Sequence, residues 1–226
     1  MFDTSFFFHL FPIMFRYIGV TLGISLASLV LSLVIAIVIA TAYYLNIPLL
    51  RGLCAVWVSV FRGTPLLAQL FWLCYGLPQL IVPLQRVSVM TLIVWGVAFN
   101  ASSYMSETLR GGIQGVSQGQ YDAARSIGMR YVPMMVHVIL PQALMSVAPA
   151  LVNEVITVLK SSSLVATIGL ADMMRAAENV QALTYRAFEP FVAIAVVYYV
   201  IVMALVAVGR RLELRIRRMQ TGERDA

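Results

Sequence analysis

The chain has 226 residues, of which 61% are hydrophobic and only 12% are charged, and its formal net charge at pH 7 is +6. This apolar content, which comes in runs of about 18 or more residues, exceeds that of an ordinary soluble domain and indicates a membrane protein. The basic residues lie at the ends of the apolar runs and form no stripe with interleaved aromatic residues, so the charge does not indicate a nucleic-acid partner. We predict an all-α integral membrane protein surrounded by lipid, because a helix pairs its own backbone groups.

Five apolar runs predict about five transmembrane helices in a single domain that covers residues 1–226. The predicted spans are 18–43, 53–75, 87–106, 134–159 and 191–208, and a polar loop over about 107–133 separates the third span from the fourth. The chain has no internal repeat, and five spans cannot form the two equal inverted halves of many self-sufficient carriers. We therefore expect the bundle to pair with another copy or with a sister chain.

The positions of the basic residues predict the orientation in the membrane. Cytoplasmic loops are enriched in Lys and Arg, and ten of the 16 basic residues fall on one side if the N-terminus is outside. These ten residues are Arg51, Arg110, Arg125, Arg130, Arg210, Arg211, Arg215, Arg217, Arg218 and Arg224. We predict an N-terminus outside, a C-terminus in the cytoplasm and a cytoplasmic loop over 107–133.

A short helix with both ends marked is predicted inside this loop. Ser117 followed by Gln120 fits a capping box, and Val116 with Tyr121 occupies the two positions of a hydrophobic staple. Gly128 sits where a left-handed residue would end the helix. About ten residues remain between these marks, too few for a helix that is stable alone.

This helix is therefore expected to pack against something else. Tyr121, Ala124 and Ile127 would lie on one side and the small residue Ala123 on another. The pattern leaves open whether the helix packs under its own bundle or against a partner.

The same loop resembles the EAA motif of permease subunits of bacterial ABC importers, in which E-A-A is followed by G and then by I-x-L-P. The matching residues are Asp122, Ala123, Ala124, Gly128, Ile139, Leu140 and Pro141, and Asp122 replaces the more usual Glu. The shorter carboxylate keeps the charge, so coupling is expected to survive this change.

Three further blocks narrow the resemblance to polar amino-acid permeases of the histidine/glutamine type. They read F-R-G-T-P-L-L-A-Q-L-F over 61–71, E-T-L-R-G-G-I over 107–113 and N-E-V-I-T-V-L-K-S-S-S-L over 153–164. The blocks occur in the family's order and extend over most of the chain. Together they are far more specific than any one of them alone.

The resemblance implies the transmembrane domain of a type I ABC importer in the bacterial inner membrane. The loop helix would be a coupling helix that binds in a groove of the ATPase subunit, with Tyr121 beside the motif residues. The implied partners are two copies of an ABC ATPase, a second permease chain that forms a homodimer or heterodimer, a periplasmic amino-acid-binding protein and a polar amino acid. The role of the chain is then mechanical and not enzymatic.

The chain also lacks the P-loop pattern that an ATPase needs. Lys160 is the only lysine, and Leu159 precedes it in place of glycine. ATP and Mg²⁺ are therefore expected on a partner chain, with no cofactor, metal site or catalytic residue on this one.

Charged residues inside spans are costly and are candidates for function. Arg62 lies inside the second predicted span, and Thr64 and Pro65 follow it, where proline interrupts the helix and frees backbone groups. Such a place would suit a substrate carboxylate. The alternative is that Arg62 pairs with a carboxylate such as Glu154 and joins two helices.

The fourth span carries a second group of candidates for the substrate path. These are Asn153, Glu154, Lys160, Ser161, Ser162 and Ser163. They could offer donors and acceptors to an amino acid. The alternative for Lys160 is a side chain that extends to the interface, with solvated serines beside it.

Two other functions remain as alternatives at this point. An ion-coupled carrier would act without partners, and an intramembrane hydrolase would need His9 or His137 beside a serine. Neither histidine lies in a known catalytic motif, and we assign no role to His137.

Overall fold

The computed structural model describes residues 2–44 and 47–221, without the side chains of residues 212 and 215–221. Regular structure in the described residues is helical, and two segments of it, 72–76 and 135–139, are π-helical turns inside longer helices. The helices are α1 (Thr4–Phe15), α2 (Ile18–Tyr44), α3 (Pro48–Gly63), α4 (Leu66–Leu80), α5 (Val89–Gln114), α6 (Gln118–Ser126), α7 (Tyr131–Ile168), α8 (Met173–Thr184) and α9 (Phe188–Thr221). Among the residues used for the orientation, Arg224 and the side chains of Arg215, Arg217 and Arg218 lie outside the described part.

Four helices, α2, α5, α7 and the first part of α9, are long and apolar enough to cross a membrane. The pair of α3 and α4 passes the same test only together, with a bend of 109° between them, and gives a fifth span if it counts as one. The predicted span 53–75 crosses this bend. Helices α5 and α7 extend past the predicted spans 87–106 and 134–159, because their polar ends continue the helix.

Small residues allow α2 to pack closely along α5. The buried residues at helical spacing on α2 are Thr21, Ser25, Ser28, Ser32, Ala36 and Ala40. The Ser25 hydroxyl donates to the Thr21 carbonyl oxygen at 2.7 Å, and the Ser28 hydroxyl reaches the Val94 carbonyl oxygen of α5 at 3.3 Å. Close contact between small residues is a main source of helix association in lipid, where the hydrophobic effect does not drive it. The seam between α2 and α5 is therefore the centre of the main core, onto which α4 and α7 pack.

A second core joins α1, α8 and α9 at the end of the bundle opposite α6. Leu10, Met14 and Met173 are fully buried there against Ala193 and Val197. An ion pair between Arg186 and Asp3, with a nitrogen–oxygen distance of 3.4 Å, joins α1 to the start of α9. Helices α1 and α8 thereby cover the end of the membrane bundle.

Asp172 caps α8 from a fully buried position. One carboxylate oxygen accepts from the Arg175 backbone N–H at 2.8 Å, and the Thr21 hydroxyl accepts from the Met173 N–H at 3.2 Å. Burial raises the pKa of Asp172 from 3.8 to about 6, although the backbone hydrogen bonds oppose this shift. Asp172 therefore keeps its proton to a higher pH in the folded chain than in the unfolded chain.

We predict that the stability of the chain falls as pH rises through the folded pKa of Asp172. Between pH 3.8 and about 6 the folded state holds a proton that the unfolded state has lost, so this stabilisation is full below the lower value and is lost above the higher one. The pKa shift corresponds to at most about 3 kcal/mol in the free energy of unfolding. Thermal melting in mild detergent between about pH 4 and pH 7 measures this change in stability.

The matched variant is Asp172→Asn, since Asn caps helices as well as Asp and carries no proton to lose. This variant should melt with a shallower dependence on pH than the parent chain. Equal slopes for the two proteins would contradict the assignment to Asp172.

Candidate translocation and coupling sites

The break between α3 and α4 lies at Thr64 and Pro65. Thr64 has extended backbone angles of φ −123° and ψ 147°, and Pro65 at φ −64° has no N–H to donate. The Thr64 hydroxyl donates to the Val60 carbonyl oxygen at 2.8 Å, which closes the last turn of α3. A break of this kind leaves other carbonyl oxygens of α3 without helical partners.

Two side-chain amides bind these carbonyl oxygens. The Gln69 amide nitrogen lies 3.0 Å from the carbonyl oxygens of both Phe61 and Thr64. The Asn100 amide nitrogen of α5 donates to the Phe61 carbonyl oxygen at 2.9 Å and to the Gln69 side-chain oxygen at 3.1 Å. The broken backbone is thereby paired inside the protein, as a break at membrane depth requires.

Arg62 stands at this break, one residue before the end of α3. Its guanidinium carbon lies 5.2 Å from the centre of the Tyr104 ring, and a guanidinium nitrogen lies 4.0 Å from Glu107. The side chain remains 45% exposed. The alternative that Arg62 pairs with a carboxylate and joins two helices is met by Glu107 of α5; the partner named for it, Glu154, is corrected, since among the described residues it interacts with Arg62 only electrostatically.

Glu107 bridges two cations. It accepts two hydrogen bonds from Arg110, at 3.1 and 2.6 Å, and Arg110 also contacts the ring of Tyr43 at 5.8 Å. Bidentate pairs between Arg and a carboxylate are strong and directional. Glu107 is therefore fixed by Arg110, and its contact with Arg62 is the longer of the two, at 4.0 Å.

The predicted substrate-path residues of the fourth span do not lie in one place. Glu154 is half-buried near Arg62, but the exposed side chain of Asn153 lines a separate groove with Gly209 and Arg210 of α9. Lys160 lies in a third place, a cleft between α7, α8 and α9. Arg62, Thr64 and Pro65 thus lie together at the break, Glu154 interacts with Arg62 only electrostatically, and the other candidates lie apart from them.

Lys160 and Ser163 line a cleft of about 620 Å³ between α7, α8 and α9. Ser162 is buried, and its hydroxyl donates to the Leu159 carbonyl oxygen at 2.7 Å. The Ser163 hydroxyl donates to the Lys160 carbonyl oxygen at 2.8 Å, and Ser161 ends the α-helical part of α7. These hydroxyls are therefore largely occupied by their own helix.

The short helix predicted in the loop is present as α6, but its N-terminus is not capped in the predicted way. Ser117 has the extended backbone of a cap residue, yet its side chain makes no capping hydrogen bond. The Gln120 side chain does not reach back to Ser117 and accepts from Gln142 of α7 at 3.3 Å. The prediction of a capping box is wrong, because the Gln120 amide binds a neighbouring helix in place of the cap.

The end of α6 follows the prediction. Gly128 has φ +78°, the left-handed conformation that glycine adopts without strain. The Gly128 N–H donates to the Arg125 carbonyl oxygen at 2.9 Å, and the Met129 N–H donates to the Ala124 carbonyl oxygen at 3.1 Å. These two bonds form a Schellman motif, which confirms the predicted stop at Gly128.

One face of α6 packs onto the bundle. Ala124 is buried, and the Tyr121 hydroxyl donates to the Ile113 carbonyl oxygen of α5 at 3.2 Å. Both belong to a small core, which we call the anchor core, formed by Ile113, Ala124, Met134, Met135, Ile139 and Ala143 with Tyr121 beside them. Of the motif residues that follow, Ile139 is therefore core, Leu140 is half-buried and Pro141 is exposed.

The opposite face of α6 is uncovered. Asp122 and Ala123 are exposed, and Ile127 keeps 77% of its surface accessible. The grouping of Ile127 with Tyr121 and Ala124 is corrected, since Tyr121 and Ala124 face the bundle and Ile127 does not. This outer side of α6 is thus left uncovered by the described residues of the chain.

Sequence reasoning missed Gln69, Asn100, Tyr104 and Glu107 as parts of the site. Gln69 and Asn100 are amides inside apolar runs, so the rule that polar groups in spans are functional could have found them. Glu107 was assigned to the loop, and only the continuation of α5 to Gln114 brings it near Arg62.

Comparison with known proteins identifies the class. Residues 32–218 match the family described as "Binding-protein-dependent transport system inner membrane component", and the chain belongs to this family. Membership makes it a multi-pass permease subunit of a transport system and implies an ATPase, a binding protein and a second permease chain as partners.

Two relatives are similar over most of their length. The chain is 36% identical to the "Probable amino-acid ABC transporter permease protein PatM" of Vibrio harveyi, over 92% of this chain and 93% of that one. It is 40% identical to the "Arginine transport system permease protein ArtQ" of Bacillus subtilis, over 71% and 73%.

Solved structures agree with this assignment. One described as an amino acid ABC transporter with histidines superposes with a TM-score of 0.88 at 34% identity, covering 95% of this chain and 99% of that chain. A MetNI methionine ABC transporter superposes with a TM-score of 0.77 at 18% identity, covering 92% and 97%, which shows the shared fold. The predicted all-α type I importer fold is confirmed.

We predict that Gln69→Leu destabilises the chain by about 1–3 kcal/mol, because the carbonyl oxygens of Phe61 and Thr64 lose the amide that they bind. The measurement is thermal melting in mild detergent. Gln79→Leu is the control, since Gln79 is exposed on the same helix. Equal melting temperatures for the two variants would show that the amide does not support the break.

Proposed function

We propose that this chain is the permease subunit of an ATP-driven importer of a polar amino acid, in which α6 couples a separate ATPase to the membrane helices. The observation that carries the proposal is that α6 has two unlike faces. Tyr121 and Ala124 hold it to the anchor core, while Asp122, Ala123 and Ile127 are free to contact a partner. A helix held this way transmits a push on its outer face to α5 and α7.

The motif residues then have two different tasks. Asp122 and Ala123 would contact the ATPase, and Gly128 would give the helix a fixed end. The helix would be held to the bundle from inside by Ala124, Ile139 and Leu140. Pro141 lies in the first α-helical turn of α7 after the π-helical segment 135–139. The proposed coupling surface is thus smaller than the motif.

The proposed substrate region is the break between α3 and α4. Arg62 is half-exposed beside Thr64 and Pro65, and Glu154 lies within electrostatic range on α7. A cation and a carboxylate in one region can meet the carboxylate and ammonium groups that every amino acid carries. The other candidates of the fourth span would act at other points of the path. They are Asn153, Lys160, Ser161, Ser162 and Ser163.

The proposed substrate class rests on the relatives. Their names refer to amino acids in general and to arginine. The shared blocks cover the break and the half-buried carboxylate of α7, which are the parts that would meet the amino-acid backbone. The side chain of the substrate is not specified by these groups.

The proposed assembly has two ATPase copies on the α6 side, a second permease chain and a periplasmic amino-acid-binding protein on the side of α1 and α8. The N-terminus would be outside and the C-terminus in the cytoplasm, as the basic residues at Arg210 and Arg211 support. Residues 1–226 would form one permease domain. ATP and Mg²⁺ would bind to the ATPase.

We predict that Ala123→Trp abolishes coupling without unfolding the chain. The Ala123 side chain is exposed, so an indole fits on the surface but fills the space that a closely packed partner needs. A tagged pull-down from mild detergent should recover a P-loop ATPase with the parent chain and at least about tenfold less of it with the variant.

The control is Ala171→Trp, which makes the same change at an exposed position between α7 and α8, far from α6. This variant should retain the ATPase. Equal recovery with both variants would contradict the coupling surface, and a parent preparation that transports alone on an ion gradient would support the carrier hypothesis instead.

We predict that Arg62→Gln raises the KM for amino-acid uptake about tenfold or more, because a charge-assisted hydrogen bond to the substrate is lost. Uptake into vesicles that contain the complete transporter measures it. Arg86→Gln, at an exposed position in the segment between α4 and α5, is the control. An unchanged KM with Arg62→Gln would remove this residue from the substrate region.

A further inference from the structure

Two side chains of α5 contact Arg62 at the end of α3. The guanidinium carbon of Arg62 lies 5.2 Å from the centre of the Tyr104 ring, and one of its nitrogens lies 4.0 Å from a Glu107 oxygen. Tyr104 and Glu107 are about one helical turn apart and therefore lie on the same face of α5. One face of α5 thus holds a cationic side chain that comes from the other side of the break.

Neither contact engages the N–H donors of Arg62. A cation is attracted to the face of an aromatic ring by the charge distribution of the ring, without a hydrogen bond. The 4.0 Å contact with Glu107 is longer than a nitrogen–oxygen hydrogen bond, which spans about 2.7–3.2 Å. The Arg62 guanidinium therefore donates no hydrogen bond to any residue that the structure describes.

Two other paired arginines are held in a different way. Arg110 donates two hydrogen bonds to Glu107 and a third, at 3.2 Å, to Gln114. Arg186 donates to Asp3 at 3.4 Å. Because the Glu107 oxygens already bind Arg110, Glu107 places negative charge beside Arg62 without accepting a hydrogen bond from it.

The length of the arginine side chain gives the Tyr104 contact its importance. The side chain of Arg62 is 45% exposed, so close packing does not fix it. A flexible side chain that becomes ordered only when a ligand binds lowers the affinity for that ligand, and ordering it beforehand removes this cost. Tyr104 and Glu107 restrict the guanidinium before a ligand arrives.

We propose that Tyr104 is a positioning residue for Arg62. Its ring, with the charge of Glu107 beside it, holds the guanidinium at the break, while the N–H groups stay open to the carboxylate of an amino acid. A guanidinium with open donors binds a carboxylate through two parallel hydrogen bonds. The inference rests on the proposed function, in which Arg62 contacts the substrate carboxylate, and Tyr104 acts on the substrate only through Arg62.

The first measurement tests the positioning without a substrate. The full chain is labelled with nitrogen-15 at the Nε–H groups of arginine, and NMR in mild detergent reports the mobility of Arg62, whose signal is identified by its loss in Arg62→Gln. The order parameter of this signal should fall in Tyr104→Leu. It should stay near the parent value in Tyr104→Phe, which keeps the ring. An Arg62 signal that is equally ordered in Tyr104→Leu and in the parent chain would overturn the proposal.

The second measurement tests the consequence for transport, with labelled L-arginine as the probe and vesicles that contain the complete transporter. Tyr104→Leu should raise the KM about threefold and leave kcat nearly unchanged, which is the effect of one cation–π contact at a partly exposed site. Tyr104→Phe should restore most of the loss. Tyr199→Leu, the same change on the exposed surface of α9, is the control and should transport as the parent does.

A double variant separates positioning from a general effect on the fold. Adding Tyr104→Leu to Arg62→Gln should not raise the KM further, because no guanidinium is left to hold. Additive effects of the two changes, or equal KM values in Tyr104→Leu and Tyr104→Phe, would overturn the proposal. An unchanged KM in Arg62→Gln alone would instead overturn the proposed substrate region, and the NMR comparison would still decide whether Tyr104 positions Arg62.

Discussion

Backbone carbonyl groups inside a membrane find no water to bind, and this constraint determines how the chain is built around Pro65. The break between α3 and α4 is possible only because the amides of Gln69 and Asn100 bind the carbonyl oxygens that the helix gives up. The same arrangement brings Arg62 to the end of a helix, where its guanidinium is half-exposed. The proposed substrate region and the pairing of the broken backbone therefore have one origin.

Helix α5 connects this break to α6, the proposed coupling helix. It carries Asn100 at the break, then Glu107 beside Arg62, and finally Ile113 in the anchor core below α6. A continuous helix is stiff over this distance, so movement of α6 and rearrangement of the break are mechanically joined in the proposed transport cycle. The close packing of α2 along α5 supports this element from one side.

Helix α6 has one face on the bundle and one exposed face, which explains why core residues and exposed residues are mixed in its sequence. Ala124 and Tyr121 belong to the core, whereas Asp122 and Ala123 do not, although the four residues are consecutive. A helix too short to be stable alone depends on its inner face for its existence and keeps only its outer face for a partner.

The sequence by itself determined the membrane location, the all-α class, the positions of the long helices and the stop of α6 at Gly128, because hydropathy and glycine conformation are local properties. Only the tertiary structure decided which polar groups meet. The 109° bend between α3 and α4 depends on neighbouring helices. So do the ion pair between Arg62 and Glu107 and the hydrogen bond between the Gln120 and Gln142 amides, which replaces the predicted capping box. Side-chain partners that are distant in sequence leave no periodic pattern, so sequence reasoning could single out polar residues inside the spans but could not show that the Gln69 and Asn100 amides meet at the break beside Arg62.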